Sequence, residues 1–218
     1  MTLSTFYLAF CLFVCNGNLY PFSNNVKLNN KSSSSSNATV EFLLDYLSIK
    51  YPDVNFEEII YVGIKRQELY YIKKGQLVKS YHISSSADGA GNVFGSNKTP
   101  IGLHKIQKKI GEEVPIGGIF EGKKFIGKIA NINKDNHLHS KKDEIVTRIL
   151  TLQGQEEGIN KGNKNIDSYH RRIYIHGTPE EHLIGQPASH GCIRMTSEDV
   201  IELFDFVPLG INVIILNN

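Results

Sequence analysis

The sequence lacks an excess of charge of either sign. Its 218 residues include 24 Lys and Arg against 22 Asp and Glu, which gives a formal net charge of +2 at pH 7. Proteins that bind nucleic acid through its phosphates are usually strongly basic. The composition therefore gives no reason to expect a nucleic-acid partner, while 40% apolar residues suffice for a hydrophobic core.

Cysteine is scarce as well. The chain has three cysteines, and Cys11 and Cys15 both lie in an apolar N-terminal segment. If that segment is removed in the mature protein, Cys192 remains alone and no intramolecular disulfide can form. A single cysteine in an exported chain suits an enzyme that needs a free thiol.

The N-terminal apolar run is too short to span a membrane. It comprises the nine residues 6–14, whereas a spanning helix needs about 20. Residues 1–26 carry no charged side chain, so a basic residue before the run is missing, but the length fits a signal peptide cleaved after Gly17. Alternatively, Cys15 is the lipidated residue of a lipoprotein signal. We predict such a signal at residues 1–17, export to the periplasm or cell envelope, and membrane contact only through an N-terminal anchor.

Polar residues follow this signal. Five consecutive serines at positions 32–36 cannot bury apolar area, so residues 18–38 are predicted to be a flexible Ser/Asn-rich linker. Residues 39–58 are predicted to be a short helical lead-in that packs against a domain. The apolar residues at helical spacing are Val40, Leu43, Leu44 and Leu47.

From residue 59 onward, the pattern is typical of strands. Segments rich in β-branched and aromatic residues recur to the C-terminus, which predicts a mainly β domain at residues 59–218. The economical architecture is a β-sandwich or partly closed barrel with a few short helices. Residues 105–143 are rich in lysine and glycine and are predicted to be a solvated flap. Alternatively, this flap covers the mouth of a site and binds an anionic polymer.

Two turns near the C-terminus carry the reactive side chains. His176 ends a predicted strand and Gly177 lets the chain leave it, while His190 and Cys192 flank Gly191 in a second turn. A helix is predicted a few residues after the cysteine. A nearby imidazole and a helix N-terminus both lower a thiol pKa. The pattern favours acyl transfer by a cysteine nucleophile, with a histidine as base and backbone N–H groups as oxyanion donors.

Residue types and spacing alone leave two alternatives. A structural cysteine packed against a histidine accounts for the same pair. A zinc site formed by His176, His190 and Cys192 also accounts for it, with a fourth position open. The cysteine count favours the catalytic interpretation.

Both turns resemble the L,D-transpeptidase family, whose catalytic domain is of the YkuD type. The family signature is a histidine in an H-G-T turn, followed by S-H-G-C or S-S-G-C and then an apolar residue and Arg or Asn. This chain reads His-Gly-Thr from His176 and Ser-His-Gly-Cys-Ile-Arg-Met from Ser189. The resemblance covers most of the chain from about residue 59 and implies the family's β-rich fold.

The resemblance implies roles for individual residues. Cys192 is the expected nucleophile and His176 the expected general base, because relatives can carry serine in place of His190. The supporting or oxyanion residues are expected to be His190, Gly191 and Gly177. A backbone carbonyl near Gly177 is expected to orient the imidazole, with Asp167 as a weaker alternative.

Tyr174, Ser189 and Arg194 are the residues expected to bind substrate. A guanidinium suits a bidentate contact with a carboxylate, and the family's substrate is a peptidoglycan stem peptide with several free carboxylates. No metal or organic cofactor is expected. The expected partners are stem peptides, with a wall-attached lipoprotein as one form of acceptor.

The implied reaction has two halves and serves peptidoglycan synthesis, cell-wall organisation and cell shape. Cys192 attacks the carbonyl between the third-position diamino acid and the fourth-position D-Ala, which releases D-Ala and forms a thioester. An amine acceptor then resolves the thioester. An L,D-carboxypeptidase or amidase that uses water is one alternative, and a non-catalytic cell-wall-binding module is another.

Overall fold

The computed structural model describes residues 30–132 and 143–218, with side chains from residue 37 onward. The predicted signal at residues 1–17 lies outside these residues, as do most of the predicted linker and the end of the Lys-rich segment. Within the described ranges, no helix is both long and apolar enough to cross a bilayer.

The described residues form ten strands and two α-helices, together with a short 3-10 helix at Glu181–Leu183. In chain order the elements are α1 (Asn30–Lys50), β1 (Glu58–Gly63), β2 (Glu68–Lys73), β3 (Gln76–His82), β4 (Gly102–Ile110), β5 (Gly118–Glu121), β6 (Lys124–Ile129), β7 (Ile145–Gly154), β8 (Tyr174–Gly177), β9 (Ile193–Met195), α2 (Ser197–Phe206) and β10 (Asn212–Leu216).

All of these strands belong to one sheet. Its main path runs β3-β2-β1-β10-β4-β7-β5-β6, while β8 pairs with both β7 and β9. Strands β1 to β3 form an antiparallel meander, and β10 returns to pair in parallel with β1. The prediction of a mainly β fold with few helices is confirmed. The strand path through the described residues does not close on itself, so the sheet is open.

Strand β1 separates two hydrophobic cores. Successive side chains of a strand point to opposite faces. Ile60 and Val62 pack in the cluster that contains the buried residues of α2, whereas Ile59 and Tyr61 pack in the cluster that contains Leu43 of α1. Burial on both faces explains why β1 is a continuous apolar run rather than an alternating one.

Helix α1 begins earlier than predicted. It spans Asn30–Lys50 and so includes the serine run that composition assigns to a flexible linker. Serine is only moderately unfavourable in a helix, and a nucleated helix extends at little cost per residue. The buried side chains of Val40, Leu43 and Leu47 fix the later turns against the sheet. Helix propensity alone does not reveal that packing against the sheet stabilises this helix.

The described part of the Lys-rich segment is also more ordered than predicted. Residues 102–110 form β4, which lies between β10 and β7, and β5 and β6 form a hairpin. Ile106 in β4 is fully buried although lysines surround it in sequence. Lys109 donates from Nζ to the carbonyl of Val207 at 2.9 Å and lies over the ring of Phe204, beside the end of α2. Its charge faces a helix C-terminus, which favours a cation.

Candidate active site

Parallel pairing of β8 and β9 brings the two predicted turns together. His176 lies opposite Arg194 in the register, and Cys192 comes directly before β9. Because side chains alternate along a strand, Tyr174 and His176 share one face of β8. The predicted nucleophile and base are therefore brought to one site by strand register.

Ser189 and Gly191 shape the turn before Cys192. Gly191 has a φ of +122°, which is open to glycine and strained for other residues. The buried Ser189 hydroxyl donates to the Cys192 carbonyl at 2.6 Å and accepts from the Gly191 N–H at 3.2 Å. This use of the hydroxyl differs from the expected substrate contact, because both hydrogen bonds hold the turn.

The surroundings of Cys192 favour the protonated thiol over the thiolate. Its Sγ donates to the carbonyl of Arg172 at 3.5 Å. Burial raises the thiol pKa to about 12, although the backbone N–H of Tyr174 and the charge of Arg194 lower it in part. Asp143 adds to the increase. Proton removal must therefore accompany attack by the sulfur.

The two features expected to lower the thiol pKa do not offset the effect of burial. Strand β9 separates Cys192 from α2, whose first residue is Ser197, and a helix dipole acts mainly within its first turn. The helix predicted after the cysteine is present as α2, and Thr196 caps it by accepting a hydrogen bond from the Asp199 N–H at 3.1 Å. The second expected aid, the imidazole of His176, has its own pKa lowered by burial, which disfavours its charged form.

His176 is held in the orientation of a base. Its side chain is buried, with 1% of the residue exposed, and its Nδ1 lies 2.8 Å from the carbonyl oxygen of Gly177. That carbonyl can only accept, so Nδ1 carries the proton and Nε2 keeps its lone pair. Burial lowers the imidazole pKa, while Asp143 and the Gly177 carbonyl oppose the decrease. A neutral imidazole with a basic Nε2 results.

The backbone carbonyl of Gly177 therefore contacts the imidazole of His176, as expected. Asp167, the alternative residue for orienting this imidazole, lies elsewhere. The carboxylate of Asp167 accepts from the backbone N–H groups of Gly162 and His170. It closes its own loop and has no hydrogen bond to His176.

Asp143 is the site residue that sequence reasoning missed. Its carboxylate accepts from the Nε of Arg194 at 2.7 Å, and from both the backbone N–H and the Nδ1 of His190 at 3.1 Å. Burial alone would raise the pKa of the Asp143 carboxyl, but His176 and Arg194 outweigh it and hold that pKa below its usual range. The sequence offers only an indirect indication of an acid at this site: if Arg194 is buried, it requires a carboxylate partner.

Arg194 is an internal cation rather than an open substrate ligand. Its side chain is 2% exposed, and Nη2 lies 2.7 Å from Asp143 and 3.1 Å from Glu180. The expected contact with a substrate carboxylate does not fit this burial, because two protein carboxylates already hold the guanidinium. Its charge fixes the carboxylate nearest to His176.

His190 lies at the rim, as a supporting residue would. Its side chain is 66% exposed, and its backbone N–H is bound to Asp143. The N–H of Gly191 is likewise bound, to Ser189. Both expected oxyanion donors are therefore engaged within the protein at rest, and Gly177 contributes its carbonyl to His176.

The open β-sheet thus holds His176 on β8 and Cys192 directly before its parallel partner β9. The sequence model of the YkuD family, the L,D-transpeptidase catalytic domain, matches residues 57–215. The chain belongs to this family.

Short stretches of the chain match bacterial proteins that carry L,D-transpeptidase names. YqjB of Bacillus subtilis is 46% identical over 48 residues, which are 22% of this chain and 27% of YqjB. YbiS of Escherichia coli is 48% identical over 46 residues, which are 21% of this chain and 15% of YbiS. The matched stretch is thus a small part of either relative.

Solved structures of L,D-transpeptidases are similar at low identity. L,D-transpeptidase 3 of Mycobacterium tuberculosis, in complex with a faropenem-derived adduct, has 16% identity and a TM-score of 0.46, covering 74% of this chain and 60% of that one. The L,D-transpeptidase of Xylanimonas cellulosilytica has 16% identity and a TM-score of 0.42, covering 73% of this chain and 60% of that one.

The raised thiol pKa predicts the pH dependence of alkylation. Because a higher pKa leaves less thiolate at any pH below it, iodoacetamide should modify Cys192 about tenfold faster per pH unit from pH 6 to pH 10 or so. The tryptic peptide 173–194 reports this cysteine separately from Cys11 and Cys15 by mass spectrometry. A plateau near neutral pH would instead indicate a resting thiolate–imidazolium pair.

Proposed function

We propose that this protein is an exported, cysteine-dependent L,D-transpeptidase that acts on tetrapeptide stems of peptidoglycan in the periplasm or cell envelope. The observation that carries the proposal is the buried His176, whose Nδ1 is committed to the Gly177 carbonyl, on the strand that pairs with β9 directly after Cys192. Membership of the YkuD family supports the choice of acyl transfer and of substrate.

The first half of the reaction is acylation. As Sγ of Cys192 attacks the carbonyl between the third residue and the fourth-position D-Ala, Nε2 of His176 takes the thiol proton. The resulting imidazolium is favoured by the charge of Asp143, which raises the imidazole pKa. The imidazolium then protonates the leaving amine, free D-Ala departs, and the acyl group remains on sulfur as a thioester.

The second half transfers the acyl group to an amine. The acceptor is the side-chain amine of another stem or a lysine of a wall-attached lipoprotein, and it loses a proton to His176 as it attacks the thioester. Collapse of the tetrahedral intermediate forms an amide, and the departing sulfur recovers its proton from the imidazolium. The site begins and ends with a neutral thiol and a neutral imidazole.

The proposal is tested with the full chain and defined tetrapeptide muropeptides, with products identified by mass spectrometry. We expect free D-Ala together with cross-linked dimers, and no reaction with matched stems that carry L-Ala at position four. Tripeptide monomers without dimers would indicate hydrolysis instead of transfer, as in a carboxypeptidase. Unchanged tetrapeptides would favour a non-catalytic wall-binding module and overturn the proposal.

A further inference from the structure

The β5–β6 hairpin presents a lysine at an unusual backbone position. Glu121 pairs with Lys124, so Gly122 and Lys123 form a two-residue turn with φ values of +62° and +98°. Such turns favour glycine, asparagine or aspartate, and a lysine with positive φ is held there at a conformational cost. Residues held in this way are concentrated at functional sites.

Lys123 lies over aromatic rings beside the thiol. Its Nζ is 4.7 Å from the ring centroid of Tyr169 and 5.6 Å from that of Tyr174. The Tyr174 side chain packs in the small hydrophobic cluster that Cys192 also contacts. The hairpin therefore places an ammonium group above the aromatic wall of the thiol site.

Arg172 supplies a second cation to the same wall. It is exposed and has a φ of +60°, in the left-handed region that a non-glycine residue rarely adopts. Its carbonyl accepts the thiol hydrogen bond at 3.5 Å. Burial raises the pKa of the Tyr174 hydroxyl to about 12, and the charge of Arg172, two residues earlier in the chain, opposes that increase.

No protein carboxylate neutralises these two cations within residues 30–132 and 143–218, where neither forms an ion pair. Asp143, the buried acid of the site, is held by Arg194 and His190. Glu121 lies across the hairpin from Lys124, a cross-strand pair of opposite charge.

Neighbouring Arg171 differs from Arg172. Its guanidinium donates to the carbonyls of Gly91 at 3.0 Å and Lys98 at 2.6 Å, so it is fixed by the protein. In the part of the chain that the structure describes, Lys123 and Arg172 thus remain cations without a carboxylate partner, on an aromatic surface beside the nucleophile. This arrangement is suited to an anion.

We propose that Lys123 and Arg172 form a carboxylate-binding subsite that positions the acyl donor through one of its free carboxylates, with Tyr174 as the wall between them. An ammonium and a guanidinium give a carboxylate charge-assisted hydrogen bonds, and a guanidinium can bind both oxygens. Naming the donor as a peptidoglycan stem rests on the proposed function, whereas binding of a carboxylate beside Cys192 does not.

The charge of the subsite is tested first by alkylation of Cys192 in the full chain. Anionic iodoacetate and neutral iodoacetamide both require the thiolate, so the ratio of their rates reports local charge independently of the thiol pKa. We expect this ratio to exceed that of the synthetic peptide 173–194 several-fold, and to fall at least about threefold in the double variant Lys123→Met, Arg172→Asn. Asparagine suits the left-handed φ at position 172.

Lys124→Met is the matched control, since it removes a lysine charge from the same hairpin at an exposed position. Its rate ratio should equal that of the wild type, and Arg172→Lys should keep most of the preference for iodoacetate. If the double variant kept the wild-type ratio while remaining folded by circular dichroism, the subsite would be absent. Equal decreases in Lys124→Met and the double variant would also overturn it, as an effect of net charge alone.

The substrate role is tested by kcat/KM for D-Ala release. For stems with free carboxylates, the double variant should lose at least about tenfold, whereas for stems whose carboxylates are converted to carboxamides it should match the wild type within about twofold. Equal losses with both donors would overturn the substrate role. If the wild type released no D-Ala at all, the proposed function would fail, and the alkylation ratio would still decide on the anion subsite.

Discussion

Replacing Cys192 by alanine is expected to reduce D-Ala release from tetrapeptide stems by at least about a thousandfold. The neighbouring groups cannot replace a nucleophile, because His176 has Nδ1 committed to Gly177 and its Nε2 serves only as a base. What remains is binding and orientation of the stem, which alone gives a small residual rate. Cys192→Ser should be nearly as inactive, since the site is built to deprotonate a thiol rather than a less acidic hydroxyl.

The measurement is single-turnover release of D-Ala, with the acyl-enzyme detected by intact-protein mass spectrometry. Cys11→Ala, in the N-terminal segment, is the matched cysteine control and should retain the wild-type rate. His176→Ala should lose a similar factor, because the two groups act as one unit and their losses are not additive. D-Ala release by Cys192→Ala at the wild-type rate would exclude this thiol as the nucleophile.

The reactive pair could be predicted from sequence because local motifs carry it. The glycines that shape both turns lie next to His176 and Cys192, so residue types alone suggest a site. The pairing of β8 with β9 then brings the turn that contains His176 close to the turn that contains Cys192. In the structure the two histidines differ in burial, since His176 is enclosed whereas His190 lies at the rim.

The charges around the pair could not be predicted in this way. Asp143 is distant from both motifs in sequence and has no motif of its own, and its position depends on the sheet that surrounds it. The sequence is equally consistent with Arg194 as a substrate ligand and with Arg194 as part of an ion pair. Its burial is known only from the structure. The same holds for the thiol pKa, because burial, its largest cause, is a property of the folded chain.

The fold shows the same division. Strands β1 and β10 carry the β-branched residues on which the prediction of a mainly β domain depends, whereas lysines obscure the strand pattern of β4. Its buried Ile106 and the capping contact of Lys109 become visible only when neighbouring strands and α2 are in place. The lysines dominate the composition of β4 and reflect its solvent-facing side, so the composition does not reveal the buried side of this strand.

Replacing Arg194 by methionine is expected to lower the free energy of unfolding by about 3–5 kcal/mol at neutral pH. Methionine fills much of the same volume but leaves Asp143 and Glu180 without their shared cation. A buried ion pair contributes little net stability against an apolar replacement of both partners, yet removing one partner leaves an uncompensated charge. Arg172→Asn, which removes an exposed guanidinium, should change stability by less than about 0.5 kcal/mol.

Chemical denaturation at several pH values distinguishes this role from substrate binding. In the wild type, the depressed pKa of Asp143 contributes stability that is present above its unfolded pKa of about 3.8 and is lost as the pH falls through the folded value. Without Arg194, burial favours the protonated carboxyl, so the stability deficit should be largest at neutral pH and should shrink as the pH approaches 4. A substrate ligand would instead raise KM at unchanged stability, and that outcome would contradict the internal role of Arg194. The charge of Asp143 raises the pKa of His176 and so favours the imidazolium that would form during the reaction. The folded fraction of the Arg194 variant should therefore also show a lower kcat. The Arg194–Asp143 ion pair would then contribute both to stability and to the reaction of the thiol.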